Sequence, residues 1–291
     1  MNKNFRFAHI SDLHFGSIAL NPFQFFSKRW LGNFNYVFSR KKSFAHHRLI
    51  ELVDLFKKEG ITHVIISGDL SITSRRSEFS IGRRFVSLLE KKGFKVFTVP
   101  GNHDHYTRNS YRSKRFYRYF EPQYDPNCPL NLKEDKVSYL ELEKGLWLVG
   151  LDTAVATSLI SSQGLFSPEA EKSLERALKS IPKEDQVILL NHFPFFEQEM
   201  QSKELVRGPA LKELLTRFPN VFLYLHGHTH RQTVADLRPS GLPIISDSGS
   251  TPHRKGGACH LISLTDNAID LDVYRYLDGW TQEETHSFGR S

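Results

Sequence analysis

Short apolar runs alternate with amphipathic segments along most of this chain. Runs rich in β-branched and aromatic residues predict buried strands, and longer segments with apolar residues three and four positions apart predict helices. The predicted strands are Phe5–Ile10, His63–Ser67, Lys95–Val99, Leu146–Leu151, Val187–Leu190 and Val221–Leu225. The predicted helices are Phe44–Lys58, Ser77–Lys92 and Pro168–Ser180. Strands and helices that alternate in this way are typical of an α/β fold.

The C-terminal part is rich in strands without intervening helices. Its predicted strands are Leu242–Asp247, Cys259–Leu264 and Ile269–Tyr276. Alternation followed by such a meander predicts two packed sheets flanked by helices. Since no linker-like stretch divides the chain, we expect a single domain over residues 1–291, with insertions at residues 21–44 and 105–124.

Composition excludes several classes of protein. No stretch approaches the roughly 20 apolar residues of a membrane-spanning helix, and the N-terminus lacks the apolar region of a signal peptide, so we expect a cytoplasmic protein. Cys128 and Cys259 are too few for a disulfide scaffold or a thiolate zinc site. Residues 1–120 hold 22 Lys and Arg against 8 Asp and Glu. This excess predicts an anionic partner (phosphate, nucleic acid or membrane), unless it is only an uneven soluble surface.

Polar groups with metal-binding chemistry follow the predicted strands where each strand ends. Asp12 and His14 follow the first strand, and Asp69 follows the second. The groups after the later strands are Asn102, His103, Asp104, His192, His228 and His230. Reacting groups of open α/β sheets gather at the carboxyl ends of strands, so we expect these side chains to converge.

The converging side chains offer oxygen and nitrogen ligands without sulfur, which suits borderline or hard divalent ions. Each fragment alone is also compatible with a structural histidine or an incidental cluster, but five complementary groups at five strand ends favour a metal centre. Two divalent ions can be held if Asp69 bridges them. The predicted ligands are Asp12, His14, Asp69, Asn102, His192, His228 and His230.

The order of the fragments DLH, GD, GNHD, NH and GHTH resembles that of the calcineurin-like metallophosphoesterases. The resemblance implies a four-layer α/β/β/α sandwich with two divalent ions, manganese first, with iron or zinc as alternatives. It implies that one ion binds Asp12, His14, Asp69 and His230, and that the other shares Asp69 and adds Asn102, His192 and His228.

His103 is not needed as a ligand and is predicted to face the substrate. It would stabilise the transition state or protonate the leaving oxygen, with Asp104 orienting it; alternatively His103 orients Asn102 and Asp104 is structural. Protein phosphatases of this family carry an acidic residue three positions after the bridging Asp, where this chain has Ile72. The difference argues against a serine/threonine phosphatase.

Two insertions combine aromatic and basic residues. Residues 21–44 read NPFQFFSKRWLGNFNYVFSRKKSF, and residues 105–124 add a second such mixture. Three interpretations compete: aromatic helices that cover the chain's own core, a nucleic-acid surface, or a surface for lipid acyl chains and an anionic membrane. The lipid interpretation explains composition and position together. The predicted substrate contacts are Lys28, Arg29, Phe26, Trp30, Phe34 and Arg108.

The segment SKRWLGNFNYVFSRKK is similar to an insert of bacterial phosphohydrolases in this superfamily, and the chain resembles the LpxG-type UDP-2,3-diacylglucosamine pyrophosphatases of Chlamydia-like bacteria. The resemblance implies hydrolysis of this UDP-linked acylated glucosamine to 2,3-diacylglucosamine 1-phosphate (lipid X) and UMP in lipid A synthesis. It also implies peripheral association with the inner membrane and no nucleic-acid partner. The oligomeric state is left open.

Two other functions compete with this one. A class III cyclic-nucleotide phosphodiesterase would share every metal ligand but would have little use for an exposed aromatic and basic insertion. A catalytically weak binding scaffold of this fold would be expected to lack some ligands, whereas all seven positions are filled here.

Overall fold

Two six-stranded sheets form the centre of the protein. The computed structural model describes residues 5–17, 43–122, 125, 127–158, 161–196 and 200–290. The strands are β1 Phe5–Ile10, β2 His63–Ile66, β3 Lys95–Thr98, β4 Val137–Glu143, β5 Leu146–Leu151, β6 Gly164–Leu165, β7 Gln186–Leu190, β8 Leu205–Val206, β9 Val221–His226, β10 Gln232–Asp236, β11 Ile244–Ser248, β12 Ala258–Leu264, β13 Ala268–Tyr276 and β14 Trp280–Gly289. The first sheet has the order β14-β13-β12-β1-β2-β3 and the second the order β10-β11-β9-β7-β5-β4, while β6 and β8 form a separate two-stranded ribbon.

Parallel pairing brings the ends of the site-bearing strands together. In the first sheet, β1, β2 and β3 run parallel, with Ala8 opposite Val64 and Val64 opposite Val96. In the second sheet, β5, β7, β9 and β11 run parallel. The antiparallel strands β12 to β14 extend the first sheet, and β4 and β10 form the edges of the second. The carboxyl ends of the parallel strands therefore share one edge of each sheet.

Helices cover the outer faces of the two sheets. They are α1 Arg48–Lys58, α2 Arg76–Lys91, α3 Arg108–Arg112, α4 Leu132–Asp135, α5 Pro168–Ser180 and α6 Gly208–Thr216. In α5 the Ser167 side chain accepts a hydrogen bond from the Ala170 amide, and Pro168 occupies the first turn. In α2 the Glu78 carboxylate accepts hydrogen bonds from the Arg75 and Thr73 amides and so caps the helix start.

The second sheet is buried on both faces. Ile188 and Leu190 of β7 belong to the core shared with the first sheet and with α1 and α2. The alternate residues Val187 and Leu189 belong to a second core with α5 and α6. Successive strand side chains point to opposite faces, so this division requires layers on each side. The predicted four-layer α/β/β/α architecture is confirmed.

Element boundaries and several elements differ from the predictions. The helix expected from Phe44 begins at Arg48, and the polar edge strands β4, β10 and β14, together with α6, were not predicted. Most of the insertion at residues 21–44 lies outside the described residues. No helix in the described part of the chain combines the length and the apolar character that crossing a bilayer requires.

The second insertion contributes to the core. Phe116, Tyr117 and Phe120 are buried, and the rings of Phe116 and Phe120 lie 6.2 and 6.1 Å from the ring of Phe79 in α2. For these three aromatic residues, covering the chain's own core is the interpretation that the contacts favour. A substrate-facing role for this segment stays a prediction, and it rests on cations such as Arg108, which is exposed.

Candidate metal centre

The candidate ligands occupy tight turns after their strands. Five of them, although not glycine, have a positive φ: Asp12 (53°), His14 (47°), Asp69 (54°), His228 (73°) and His230 (57°). This left-handed backbone costs roughly 1–2 kcal/mol per residue. Strain of this kind persists where the surroundings hold it, and it is concentrated at functional sites.

Backbone pairing between neighbouring turns holds the strained residues. The amides of Asp12 and His14 donate to the carbonyl oxygens of Gly68 and Asp69, at 3.1 and 2.9 Å. Glycine is required where these turns approach each other. A Cβ at Gly227 would overlap the side-chain oxygens of Ser11 and Asp12.

Asp12, His14 and His230 form one group of facing ligand atoms. The Nε2 atoms of His14 and His230 are 3.0 Å apart, and Asp12 Oδ1 lies 3.1 Å from His230 Nε2 and 3.6 Å from His14 Nε2. All three ligand atoms lie within 4.8 Å of one another, as one bound ion requires.

A second group forms around Asn102. Its Oδ1 lies 3.2 Å from His192 Nε2 and 3.0 Å from His228 Nδ1. Asp69 stands between the groups, because its Oδ2 lies 3.8 Å from His14 Nε2 and 3.6 Å from His192 Nε2. The structure thus brings together all seven residues that the sequence singled out, while their division between two ions stays a prediction.

The protonation states of these residues suit divalent cations. Burial opposes ionisation of Asp12, but the facing His230 and His14 hold its pKa well below the usual range. Asp12 Oδ1 is buried and has no hydrogen-bond partner, so a cation is the natural neighbour for it. Burial lowers the pKa of His192 and His228, which favours the neutral imidazole that binds metals. The residues therefore fit the two ions.

Backbone carbonyl groups select the ligating nitrogen of two histidines. His192 Nδ1 lies 2.7 Å from the Ser67 carbonyl oxygen, and His228 Nε2 lies 2.9 Å from that of Lys203. Each of these nitrogens donates its proton to the carbonyl. The lone pairs of His192 Nε2 and His228 Nδ1 then point toward Asn102 and the site, as is usual around metal centres.

His103 lies beside the ligands and is half-buried. Its amide donates to Asp69 Oδ1 at 2.8 Å, and its ring stacks on Tyr106 with centroids 5.6 Å apart. The ring Nδ1 lies 2.6 Å from the carbonyl oxygen of Ile72, the position at which protein phosphatases carry an acid. A backbone carbonyl thus fixes the His103 ring, with Nδ1 as the donor, and His103 lies with His14 and Asp69 in a group whose atoms could hold a metal ion. The substrate-facing role of His103 stays a prediction.

Asp104 is fully buried and acts on the loops around the site. Its two oxygens accept hydrogen bonds from the amides of Leu70, Ser71 and Gly101 and from the Ser71 hydroxyl, at 2.8–3.1 Å. These bonds join the turn after β2 to the turn after β3. Of the two roles that the sequence allows, the contacts favour the structural one.

The strand β11 and the residues that follow it contribute contacts that were not foreseen. The Ser250 hydroxyl donates to the Asp12 carbonyl oxygen, and the Thr251 hydroxyl accepts from the Ser11 amide. The Asp247 carboxylate accepts from the Thr229 hydroxyl at 2.6 Å, between His228 and His230. The cluster DSGST at the end of a predicted strand was the available signal, but its one carboxylate, Asp247, is not joined to a histidine or asparagine as most of the other ligand fragments are.

The predicted substrate contacts are only partly visible. Arg108 is exposed in the first turn of α3, five residues after His103. Lys28, Arg29, Phe26, Trp30 and Phe34 lie outside the described residues, so their roles stay predictions.

The fold is a four-layer sandwich, and its strand ends carry carboxylate, amide and imidazole groups that fit two divalent ions. This combination is typical of two-metal hydrolases. The chain belongs to the calcineurin-like phosphoesterase family, whose sequence model matches residues 5–232. No curated protein matches the chain by sequence.

Solved structures with the same fold are distant in sequence. A dimetal phosphatase from Danio rerio is 15% identical, with 99% of each chain covered and a TM-score of 0.66. The purple acid phosphatase PPD1 of yellow lupin (Lupinus luteus) is 13% identical, with a TM-score of 0.64. The match covers 100% of this chain and 54% of the phosphatase. GAP50, the anchor in the inner membrane complex of Plasmodium, is 14% identical over 100% of this chain and 90% of its own, with a TM-score of 0.58. At such identities the likeness shows the fold alone.

The site can support hydrolysis of a phosphoester. Two divalent ions in such a site supply Lewis acidity, which activates water and neutralises charge on phosphoryl oxygens. The chain itself contributes the positions of the ligands and the His103 imidazole, which lies beside His14 and Asp69. In that position His103 can donate a proton to the departing oxygen or hydrogen-bond a phosphoryl oxygen.

Proposed function

We propose that the protein hydrolyses the diphosphate of UDP-2,3-diacylglucosamine, with water as co-substrate, to UMP and 2,3-diacylglucosamine 1-phosphate. The reaction uses two divalent ions, with manganese as the proposed metal. In this proposal the enzyme works in the cytoplasm at the anionic surface of the inner membrane. The observation that carries the choice of a lipid-linked substrate is an apolar groove beside the metal ligands.

The groove lies between α1 and α2 and has a volume of about 520 Å³. Its apolar lining consists of Phe15, Leu49, Ile50, Ile81, Phe85 and Leu88. A volume of this size falls within the roughly 300–1,000 Å³ of small-molecule sites. Ile50 is 55% exposed, so the groove is open and leaves a large apolar side chain to be covered.

One end of the groove adjoins the metal centre. Phe15 follows the candidate ligand His14 directly, and His46, also in the lining, lies with Nε2 2.9 Å from the Leu13 carbonyl oxygen. A substrate phosphate at the metal centre could therefore extend a hydrocarbon chain between α1 and α2. A small cyclic nucleotide would leave this groove unused, which is why the lipid substrate is preferred.

The distribution of charge supports an anionic amphiphile. The basic half of the chain, residues 1–120, contains both groove helices and the first three groups of metal ligands. Arg84 stands at the groove among apolar residues. Cations flanking an apolar surface attract anionic headgroups while the acyl chains are buried. The proposed contacts Lys28, Arg29, Phe26, Trp30 and Phe34 would extend this surface.

A paired turnover assay with Mn²⁺ tests the substrate. One reaction follows UMP release from UDP-2,3-diacylglucosamine in detergent, and the other follows AMP release from cyclic AMP. We expect strong UMP release and negligible AMP release. The reverse pattern would refute the lipid substrate and identify a nucleotide phosphodiesterase with the same metal centre.

A substitution in the groove tests how the substrate is held. Ile50→Asp places a charge in the groove, and Leu277→Asp places one at a similarly exposed leucine (65%) in the turn between β13 and β14. We expect Ile50→Asp to raise KM for the acylated substrate about tenfold more than KM for bis(4-nitrophenyl) phosphate. Leu277→Asp should change neither. Equal effects of Ile50→Asp on both substrates would show that the groove does not bind acyl chains.

A further inference from the structure

Three arginine side chains lie close enough to interact at the start of α2. Arg76 is the first residue of α2, and Arg115 and Arg118 follow α3 in the chain. The guanidinium of Arg115 donates from Nη1 to the Ser74 carbonyl oxygen at 2.9 Å. Burial lowers the pKa of Arg115, and the positive charges of Arg76 and, more weakly, Arg118 lower it further. We call these three residues the arginine cluster.

The arginine cluster lacks compensating negative charge. Within the ranges that the structure describes, none of its three members forms an ion pair with a carboxylate. Arg76 also stands in the first turn of α2, where the helix dipole disfavours a cation. The nearby acid Glu78 is committed to the Thr73 and Arg75 amides. Like charges held together without partners are unfavourable, and a bound anion would relieve that repulsion.

The arginine cluster is tied to the loop that fixes the His103 ring. Ser74 comes two residues after Ile72, whose carbonyl oxygen fixes the His103 ring at 2.6 Å. Chain geometry therefore places the Arg115 guanidinium within roughly 13 Å of His103 Nδ1. Arg76 and Arg118 are exposed and have long side chains that can reach toward a substrate.

We propose that the arginine cluster is a second anion subsite, which binds the phosphate of a diphosphate substrate that is not at the metal ions. Guanidinium groups suit this task, because their planar donors pair bidentately with phosphate oxygens and remain charged at any working pH. The subsite selects a diphosphate over a monophosphate ester. This proposal depends on the proposed function only for the identity of the nucleotide, uridine, that carries the diphosphate.

Calorimetric binding of UDP and of UMP to the Mn²⁺-loaded protein tests the subsite without turnover. The test variant is Arg76→Gln with Arg118→Gln, which removes two exposed charges and leaves the Arg115–Ser74 hydrogen bond in place. The matched control is Arg176→Gln, an exposed arginine on α5 against the other sheet.

We expect the wild-type protein to bind UDP more tightly than UMP, and the double variant to lose about tenfold in UDP affinity with a smaller loss for UMP. Arg176→Gln should keep both affinities. Equal affinities for UDP and UMP in the wild type, or equal losses in the double variant, would overturn the proposal. If the lipid substrate fails in turnover but the UDP preference depends on Arg76 and Arg118, the subsite stands and only the proposed substrate falls.

Discussion

Replacing Gly68 by alanine should impair the metal centre through two close contacts. A Cβ at this position would lie 2.8 Å from His192 Nδ1 and 2.9 Å from the Gly101 amide nitrogen, whereas ordinary contacts begin near 3.4 Å. His192 or the turn after β3 that contains Gly101 must therefore shift by roughly half an ångström, and either shift changes the positions of the candidate ligands. Since a misplacement of about 1 Å can cost about 100-fold in rate, we expect kcat/KM to fall at least about tenfold.

The matched control for this variant is Gly93→Ala. Gly68 has φ +100° and Gly93 has φ +93°, so alanine brings the same backbone strain to either site, but a Cβ at Gly93 meets nothing within 4 Å. Both variants should lose roughly 1–2 kcal/mol of unfolding free energy from that strain. Only Gly68→Ala should lose bound metal and activity.

The assay combines Mn²⁺-dependent hydrolysis of bis(4-nitrophenyl) phosphate, metal content per chain and thermal unfolding. Full activity and metal content in Gly68→Ala would refute the assignment of His192 and of the close packing between the turns after β2 and β3. Equal losses in Gly93→Ala would also refute it, because strain alone would then account for the effect.

Three further predictions follow from other contacts. Asp12→Ala and His192→Ala should each reduce turnover by more than about 100-fold and lower the metal content measured by elemental analysis, and near-wild-type values would refute the ligand assignment. Burial, assisted by the charge of Lys95, lowers the pKa of His63 to about 4. The contribution of this neutral histidine to stability is therefore complete above its ordinary pKa and is lost as pH falls toward 4. His63 should account for about 2 kcal/mol of the drop in unfolding free energy between pH 8 and pH 5, and His63→Phe, placed against Phe97, should reduce that drop by this amount in denaturant titrations. Burial opposes ionisation of Asp152, but Lys136 at 2.8 Å and His105 hold its pKa well below the usual range. Stability from this group is therefore present above its ordinary pKa and is lost as pH falls below it. Asp152→Asn should destabilise the protein at pH 7 and reduce the loss of unfolding free energy in acid, and an unchanged loss in acid would contradict the pairing.

The metal ligands could be predicted because each one follows a strand with a strong apolar signal. Ile66, Leu190 and Leu225 end runs that predict buried strands, and buried parallel strands end at a common edge. Asp69 and His192 follow such runs, so their convergence needed no knowledge of distances. The division into two sets with Asp69 between them came from the resemblance and stays a prediction.

Other features carry no comparable signal in the sequence. The Ile72 carbonyl that fixes His103 is a backbone group, and any residue type offers one. The strand β14 is largely exposed, so its residues lack the alternation that marks a half-buried strand. Phe116 and Phe120 stand among arginines in a pattern that suits a lipid surface as well as a core, and only their packing on Phe79 separates the two.

The central claim is that the strand ends form a centre for two metal ions that hydrolyses phosphoesters. Its most direct test is a titration of metal-free protein with Mn²⁺ that follows bound ions per chain and hydrolysis of bis(4-nitrophenyl) phosphate together, for the wild type and for Asp69→Asn. The account predicts two bound ions in the wild type, activity that needs both, and loss of both ions in Asp69→Asn, because its Oδ2 faces His14 and His192. A single bound ion, or activity that persists without metal, would contradict it.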